Sequence, residues 1–155
     1  MSTHEMHEEM MGTMASEQSK ALARLLIENF NKGDLMVVDR IFAEDYVEHN
    51  APPGFPAGVE GLKQYLIAFR TAFPDALYTI EEEIGEGDKV IHRLRCSATM
   101  KGDFLGFTAT GKTAEWEEIH IARFDGRKFV EHWASVDQLG MLQQLGLAPN
   151  PGSSS

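Results

Sequence analysis

The order of segments predicts an α+β fold. Three amphipathic helical segments come first, then four long segments with strand alternation, then one short helical segment. The 155-residue length fits one domain of ordinary size. No internal repeat is visible. Helices covering one face of a curved antiparallel sheet can enclose a pocket.

Residues 1–15 are polar, Met-rich and unpatterned, which predicts a mobile tail. The first helix is expected from Ser16 to Lys32, with Ser16 and Ser19 as caps and Ala21, Leu22, Leu25, Leu26 and Phe30 at helical spacing. Gly33 stops it. Asp34 is expected to cap a second helix that turns Leu35, Val38, Ile41 and Phe42 to one side. Residues 45–50 read as an extended piece, and three prolines and two glycines make residues 51–58 a loop. Residues 60–73 form a third helix with Leu62, Tyr65, Leu66 and Phe69 inward, ended by Pro74.

Strands are expected at 76–85, 89–100, 114–124 and 128–135. The second carries Val90, His92, Leu94, Cys96, Ala98 and Met100 on one face. Asp125-Gly126 is a hairpin signal between the last two. Residues 136–145 form the final helix and 149–155 a second tail, which leaves 16–148 as the folded domain.

Acids exceed bases by 24 to 14, for a net charge of −10. That balance argues against nucleic acid, whose binding needs Lys and Arg to displace counterions, and against an anionic membrane surface. No apolar run approaches the roughly 20 residues of a spanning helix, and the acidic start lacks the apolar stretch of a secretory signal. The single cysteine, Cys96, excludes an internal disulfide framework and a cysteine zinc site, so a reducing cytoplasm is the expected compartment.

Common hydrolase, zinc-protease and nucleotide-binding motifs are missing. Outside the tail the histidines are His49, His92, His120 and His132. The hairpin register decides whether two of them meet. A two-residue Asp125-Gly126 loop turns His120 and His132 to opposite faces. A three-residue loop with a Gly bulge sets His120 opposite His132, with Trp116, Glu118, Val130 and Ala134 on the same face. The alternation leaves both registers open. On one face, imidazoles beside Glu118 in an apolar pocket suit proton transfer. Asp137 follows the last strand and either joins that site or caps the final helix. His92 and Cys96 read as core residues, and Trp116 and Trp133 as packing. Tyr46, His49 and Asn50 stand before the Pro-rich loop, where they rim a pocket or tie the loop down.

The strings FNKGDL, FAEDYVEHNAPPG, GLKQYLIAFRTAFPD, GEGDKVIHRL, GDFLGFTATGK, FDGRKFVEHW and DQLGMLQQLG occur in order between about residues 17 and 147. Together they resemble the SnoaL-like polyketide cyclases of the nuclear-transport-factor-2-like superfamily. The resemblance implies a cone-shaped α+β barrel around a deep apolar cavity. It also implies an intramolecular aldol closure that uses a pocket carboxylate and neither metal nor cofactor. The family's pocket histidine aligns with His120. Its catalytic aspartate, two residues after the histidine of the last strand, aligns with Ala134, so the resemblance selects the register in which His120, His132 and Ala134 face inward. Here the chain departs from the pattern: it reads His132-Trp133-Ala134, and a methyl group moves no proton.

The expected catalytic set is therefore His120, His132 and Asp137. Tyr46, His49, Asn50, Trp116, Glu118 and Ala134 are expected to contact the substrate, a small apolar carbonyl-bearing molecule. Ala134 also supports an alternative: a binding module that kept the cone and lost catalysis. The superfamily further implies a homodimer or higher homo-oligomer through the open sheet face, where this register puts Ile119, Ile121, Phe129 and Trp133.

Overall fold

A computed structural model of the chain describes residues 2–152; Met1 and residues 153–155, which belong to the two expected tails, lie outside the described residues. Helix α1 is Thr3–Asn31, so it starts well before the expected Ser16. A capping box sets that start. The Ser2 hydroxyl accepts the Glu5 amide at 3.1 Å, and the Glu5 carboxylate accepts the Ser2 amide at 2.6 Å. Gly33, at φ +78°, follows the last turn.

Helix α2 is the short Val37–Ile41. Asp34 does not cap it; its carboxylate accepts the Met36 amide at 3.0 Å in the preceding turn. The chain then runs through β1 (Phe42–Glu48), α3 (Gly58–Ala72), β2 (Leu77–Glu86), β3 (Lys89–Thr99), β4 (Thr113–Asp125), β5 (Lys128–Val136) and α4 (Gln138–Gln144).

The sheet has the order β1-β5-β4-β3-β2 and stays open, because its two edges, β1 and β2, do not pair. β1 is an addition to the expected antiparallel set of four strands: it joins β5 in parallel. In β3 the expected face is buried from Val90 through Ala98, and Met100 just beyond is 1% exposed. That face carries Cys96 and Ala98 into a core with Phe69, Phe73, Trp116 and Leu145. Val90 joins a second cluster with Ala23, Ile41, Phe124 and Phe129. Helix α3 comes close to the Pro-rich loop, since a Cβ on Gly61 would sit 1.6 Å from the Pro56 carbonyl oxygen. Only glycine fits there.

The β4–β5 hairpin settles the register in an unexpected way. Asp125 pairs with Lys128 across a two-residue Gly126-Arg127 turn, and Phe124 pairs with Phe129. A bulge then leaves Val130 unpaired, because Arg123 pairs with Glu131. Beyond the bulge His120 opposes Ala134, and His132 opposes Ala122. His120 and His132 thus share a face, as the resemblance requires, but as diagonal neighbours rather than direct partners. The bulge also turns Phe129 inward, where it is 5% exposed and stacks on Phe42 with centroids 4.6 Å apart. Phe129 therefore does not lie on the outer face, its expected place.

The outer face is mostly a charged ladder. Arg93 pairs with Glu82 and Glu117, and Arg95 with Glu81, Glu115 and Glu117. These pairs are exposed and contribute little stability singly. No helix among the described residues is long and apolar enough to cross a membrane.

Candidate active site

The concave face of the sheet, α1, α3, α4 and the Pro-rich loop enclose a cavity of about 930 Å³. That is the upper end of the range for small-molecule sites. Most of its wall is aliphatic and aromatic, including Leu26, Phe30, Leu62, Phe69, Leu94 and Phe129. Among the described residues, Asp34, Glu48 and Glu118 are its carboxylates, and neither Lys nor Arg lines it.

One polar chain crosses this wall. On β4, alternation sends Trp116, Glu118 and His120 to the same side; on β5 it sends His132 and Ala134 there. Glu118 Oε2 meets His120 Nε2 at 2.6 Å, His120 Nδ1 meets His132 Nε2 at 2.7 Å, and His132 Nδ1 meets Glu48 Oε2 at 2.6 Å. Each carboxylate has further donors. Trp116 Nε1–H gives to Glu118 Oε1 at 2.8 Å and the Tyr78 hydroxyl to the same oxygen at 3.2 Å. The Tyr46 hydroxyl gives to Glu48 Oε2, and the Asn50 amide to Glu48 Oε1 at 3.0 Å.

Those donors decide the charge states. Burial pushes the Glu118 carboxyl up, but the His120, Trp116 and Tyr78 donors outweigh it and hold the group below the ordinary carboxylate value. Glu48 follows the same logic: burial raises it, and His132, Tyr46 and the Asn50 amide bring it below normal. Tyr46 is pushed up, first by burial and then by the Glu48 charge, so its hydroxyl stays a donor.

Three contacts this short each need one proton, since facing lone pairs would repel. The four groups thus form one continuous hydrogen-bonded chain. His120 is its most open member, with a side chain 26% exposed against 14% for His132 and 6% for Glu118.

Among the expected residues, Tyr46, Asn50, Trp116, Glu118, His120, His132 and Ala134 line the cavity. Asn50 also anchors the Pro-rich loop by accepting the Ala134 amide at 2.7 Å. Two residues stand elsewhere. Asp137 is exposed at the start of α4 and accepts the Gly140 amide at 3.0 Å, so it caps that helix. His49 turns to the other face of the sheet, where it stacks on Trp133 at 4.8 Å and meets Glu131 at 2.7 Å. Glu48 is the residue that sequence reasoning missed. Alternation along β1 puts Tyr46, Glu48 and Asn50 on one side and His49 on the other, and that signal was available. His92 also reaches the wall, 5% exposed, with Nε2 at 2.8 Å from Glu83. Burial lowers its proton affinity more than Glu83 raises it.

An open curved sheet with helices across its mouth thus encloses an apolar cavity whose wall carries one hydrogen-bonded chain of carboxylates and imidazoles. A family model described as SnoaL-like polyketide cyclase matches residues 20–145, and the chain belongs to that family. It is 31% identical over 137 residues to the aklanonic acid methyl ester cyclase DauD of Streptomyces sp. (strain C5), covering 81% of this chain and 80% of DauD. Among solved structures it is similar to TsrD from Streptomyces laurentii, with a TM-score of 0.78 and 26% identity over 85% of this chain and 97% of TsrD. It is also similar to IdmH from Streptomyces antibioticus, with a TM-score of 0.73 and 32% identity over 83% of this chain and 99% of IdmH.

Proposed function

We propose that this protein closes a ring in an apolar carbonyl compound through an enolate, by an aldol or related step, and that His120 and His132 carry the protons. The observation behind this reading is the 2.7 Å contact between the two rings, held between two carboxylates on the cavity wall. Opening that one hydrogen bond produces a base and an acid together. His120, with Nε2–H still on Glu118, presents a bare Nδ1. His132, with Nδ1–H still on Glu48, presents an Nε2–H. Nδ1 of His120 takes the proton from the carbon beside a carbonyl, and the C–H electron pair becomes the enolate. The enolate carbon attacks a second carbonyl, a C–C bond forms, and the new alkoxide takes the proton from Nε2 of His132. One proton enters the chain and one leaves, so the product is an isomer of the substrate. The pair re-forms its bond with the shared proton on the other ring. General acid–base chemistry of this kind contributes about 10²–10⁴-fold in rate.

Ala134 supports a second reading, in which the cavity binds an apolar ligand without turning it over. Aklanonic acid methyl ester, named for the relative DauD, and a set of enolisable ketones separate the two. Turnover by the wild type, with kcat lowered about 10²-fold or more in His120→Gln and His132→Gln, supports catalysis. Tight binding of these compounds without turnover overturns it in favour of the binding module.

A further inference from the structure

The chain has three tyrosines, and all three line the cavity. Tyr46 and Tyr78 each give their hydroxyl to a carboxylate of the acid–base chain. Tyr65 differs. Its ring is wedged among Phe55, Phe69 and Phe104, with centroids 5.8, 6.2 and 5.9 Å away. Its hydroxyl donates to no group among the described residues. Aromatic packing, not a hydrogen bond, therefore fixes where this O–H stands.

On the cavity wall that hydroxyl is a donor that a ligand oxygen can use. Burial, and then the negative charges of Glu118 and Glu48 with the Cys96 thiol between them in weight, keep the Tyr65 hydroxyl protonated. Tyr65 lines the same cavity as Glu48, Glu118, His120 and His132. Among the described residues the wall has carboxylates, Glu48 and Glu118 held below their ordinary value, and no Lys or Arg, so a carboxylate or phosphate ligand would meet repulsion. A neutral carbonyl oxygen meets none and needs one donor.

We infer that the Tyr65 hydroxyl receives a neutral ketone or ester oxygen of the ligand and holds it facing the His120–His132 pair. This rests on the reading of the cavity as the site of an apolar carbonyl compound. As negative charge grows on that oxygen in the enolate, the bond strengthens. Tyr65 would then favour the transition state over the ground state.

Fluorene and 9-fluorenone, nearly the same in shape and differing by one carbonyl, test this. Wild type should bind fluorenone about fivefold tighter than fluorene, the value of one neutral hydrogen bond. The infrared carbonyl stretch of bound fluorenone should move to lower frequency. In Tyr65→Phe the preference and the shift should both vanish, with fluorene affinity unchanged. The unligated variant should melt with wild type, since no internal bond is lost, whereas Tyr78→Phe should melt lower. A preference and shift that survive in Tyr65→Phe, or a lowered melting temperature in that variant, overturn the assignment. Equal binding of both probes by wild type overturns Tyr65 alone and leaves the cavity reading intact. Binding of neither overturns both.

Discussion

His132 is one of the two inner links of the chain on the wall, and removing it gives the sharpest test of whether the four groups act as one unit. His132→Leu keeps much of the ring's volume, so little of its effect is cavity formation. What disappears is the 2.6 Å contact to Glu48 and the 2.7 Å contact to His120. Hydrogen bonds to charged groups contribute about 1.5–3 kcal/mol each, and breaking a buried ion pair from one side costs about 3–5 kcal/mol. The two routes agree on a loss of about 3–5 kcal/mol, a large share of the roughly 5–15 kcal/mol that holds a domain together. For a domain of this size the melting temperature should fall by about 6–20 °C. Urea unfolding at about pH 7 measures the loss, in a double-mutant cycle with Glu48→Gln. In wild type Glu48→Gln should destabilise. In the His132→Leu background it should cost much less or stabilise, because a neutral amide is easier to bury than a carboxylate that has lost its imidazole. A His132→Leu loss under about 1 kcal/mol, or losses additive within about 0.5 kcal/mol, would refute the coupled chain.

Two further outcomes are expected. Asp137→Ala should lose about 1 kcal/mol of stability with its helix cap while leaving ligand turnover unchanged; a loss of turnover at intact fold would return Asp137 to the site. Stability should also fall with acid in two stages. His92, which faces Glu83 on β2, Arg24 on α1 and His120 on β4, has its proton affinity lowered in the fold. The unfolded chain therefore binds protons first, and stability drops as pH falls below about 6.5. Glu48 and Glu118 are held low as well, so their contribution is present above about pH 4.3 and is lost as pH falls through their folded values. Urea midpoints between about pH 8 and pH 3 follow both stages, and His92→Gln should remove the first. Flat midpoints above about pH 5 would contradict the His92 assignment.

Elements with a strong period were legible in the sequence. β3 alternates without interruption, and every residue expected inward there is buried. The β4–β5 hairpin was harder, because a bulge at Val130 is written in no turn motif and shifts every pairing beyond it. The resemblance gave the shared face of His120 and His132, yet their diagonal contact depends on that bulge. The parallel edge strand was also hidden, since β1 is short and its partner lies far along the chain. The early start of α1 was readable in principle from Ser2 and Glu5, but the Met-rich composition masked it. In the site, Tyr46, His49 and Asn50 are expected from their place before the Pro-rich loop, whereas Glu48 is the neighbour that faces the cavity. Strand alternation was the better guide. Tyr65 was found as an inward helix residue, but an α-helix pattern cannot tell a packed ring from a hydroxyl without a partner.

Charge balance connects Ala134 to the imidazole pair. Residue 134 sits directly opposite His120. An aspartate there would place a third carboxylate beside Glu118 and Glu48, in a wall with no Lys or Arg among the described residues. Like charges that close cannot all stay ionised, so one of the three would take up a proton. With alanine only two carboxylates face the chain, and six donors stabilise them. Alanine at 134 and the tethered imidazole pair are therefore parts of one arrangement. The chain's net charge of −10 stays largely outside it, in the sheet's outer ladder and on the surface. Inside, the wall keeps only as much negative charge as its own donors balance, and a neutral carbonyl ligand leaves that balance undisturbed.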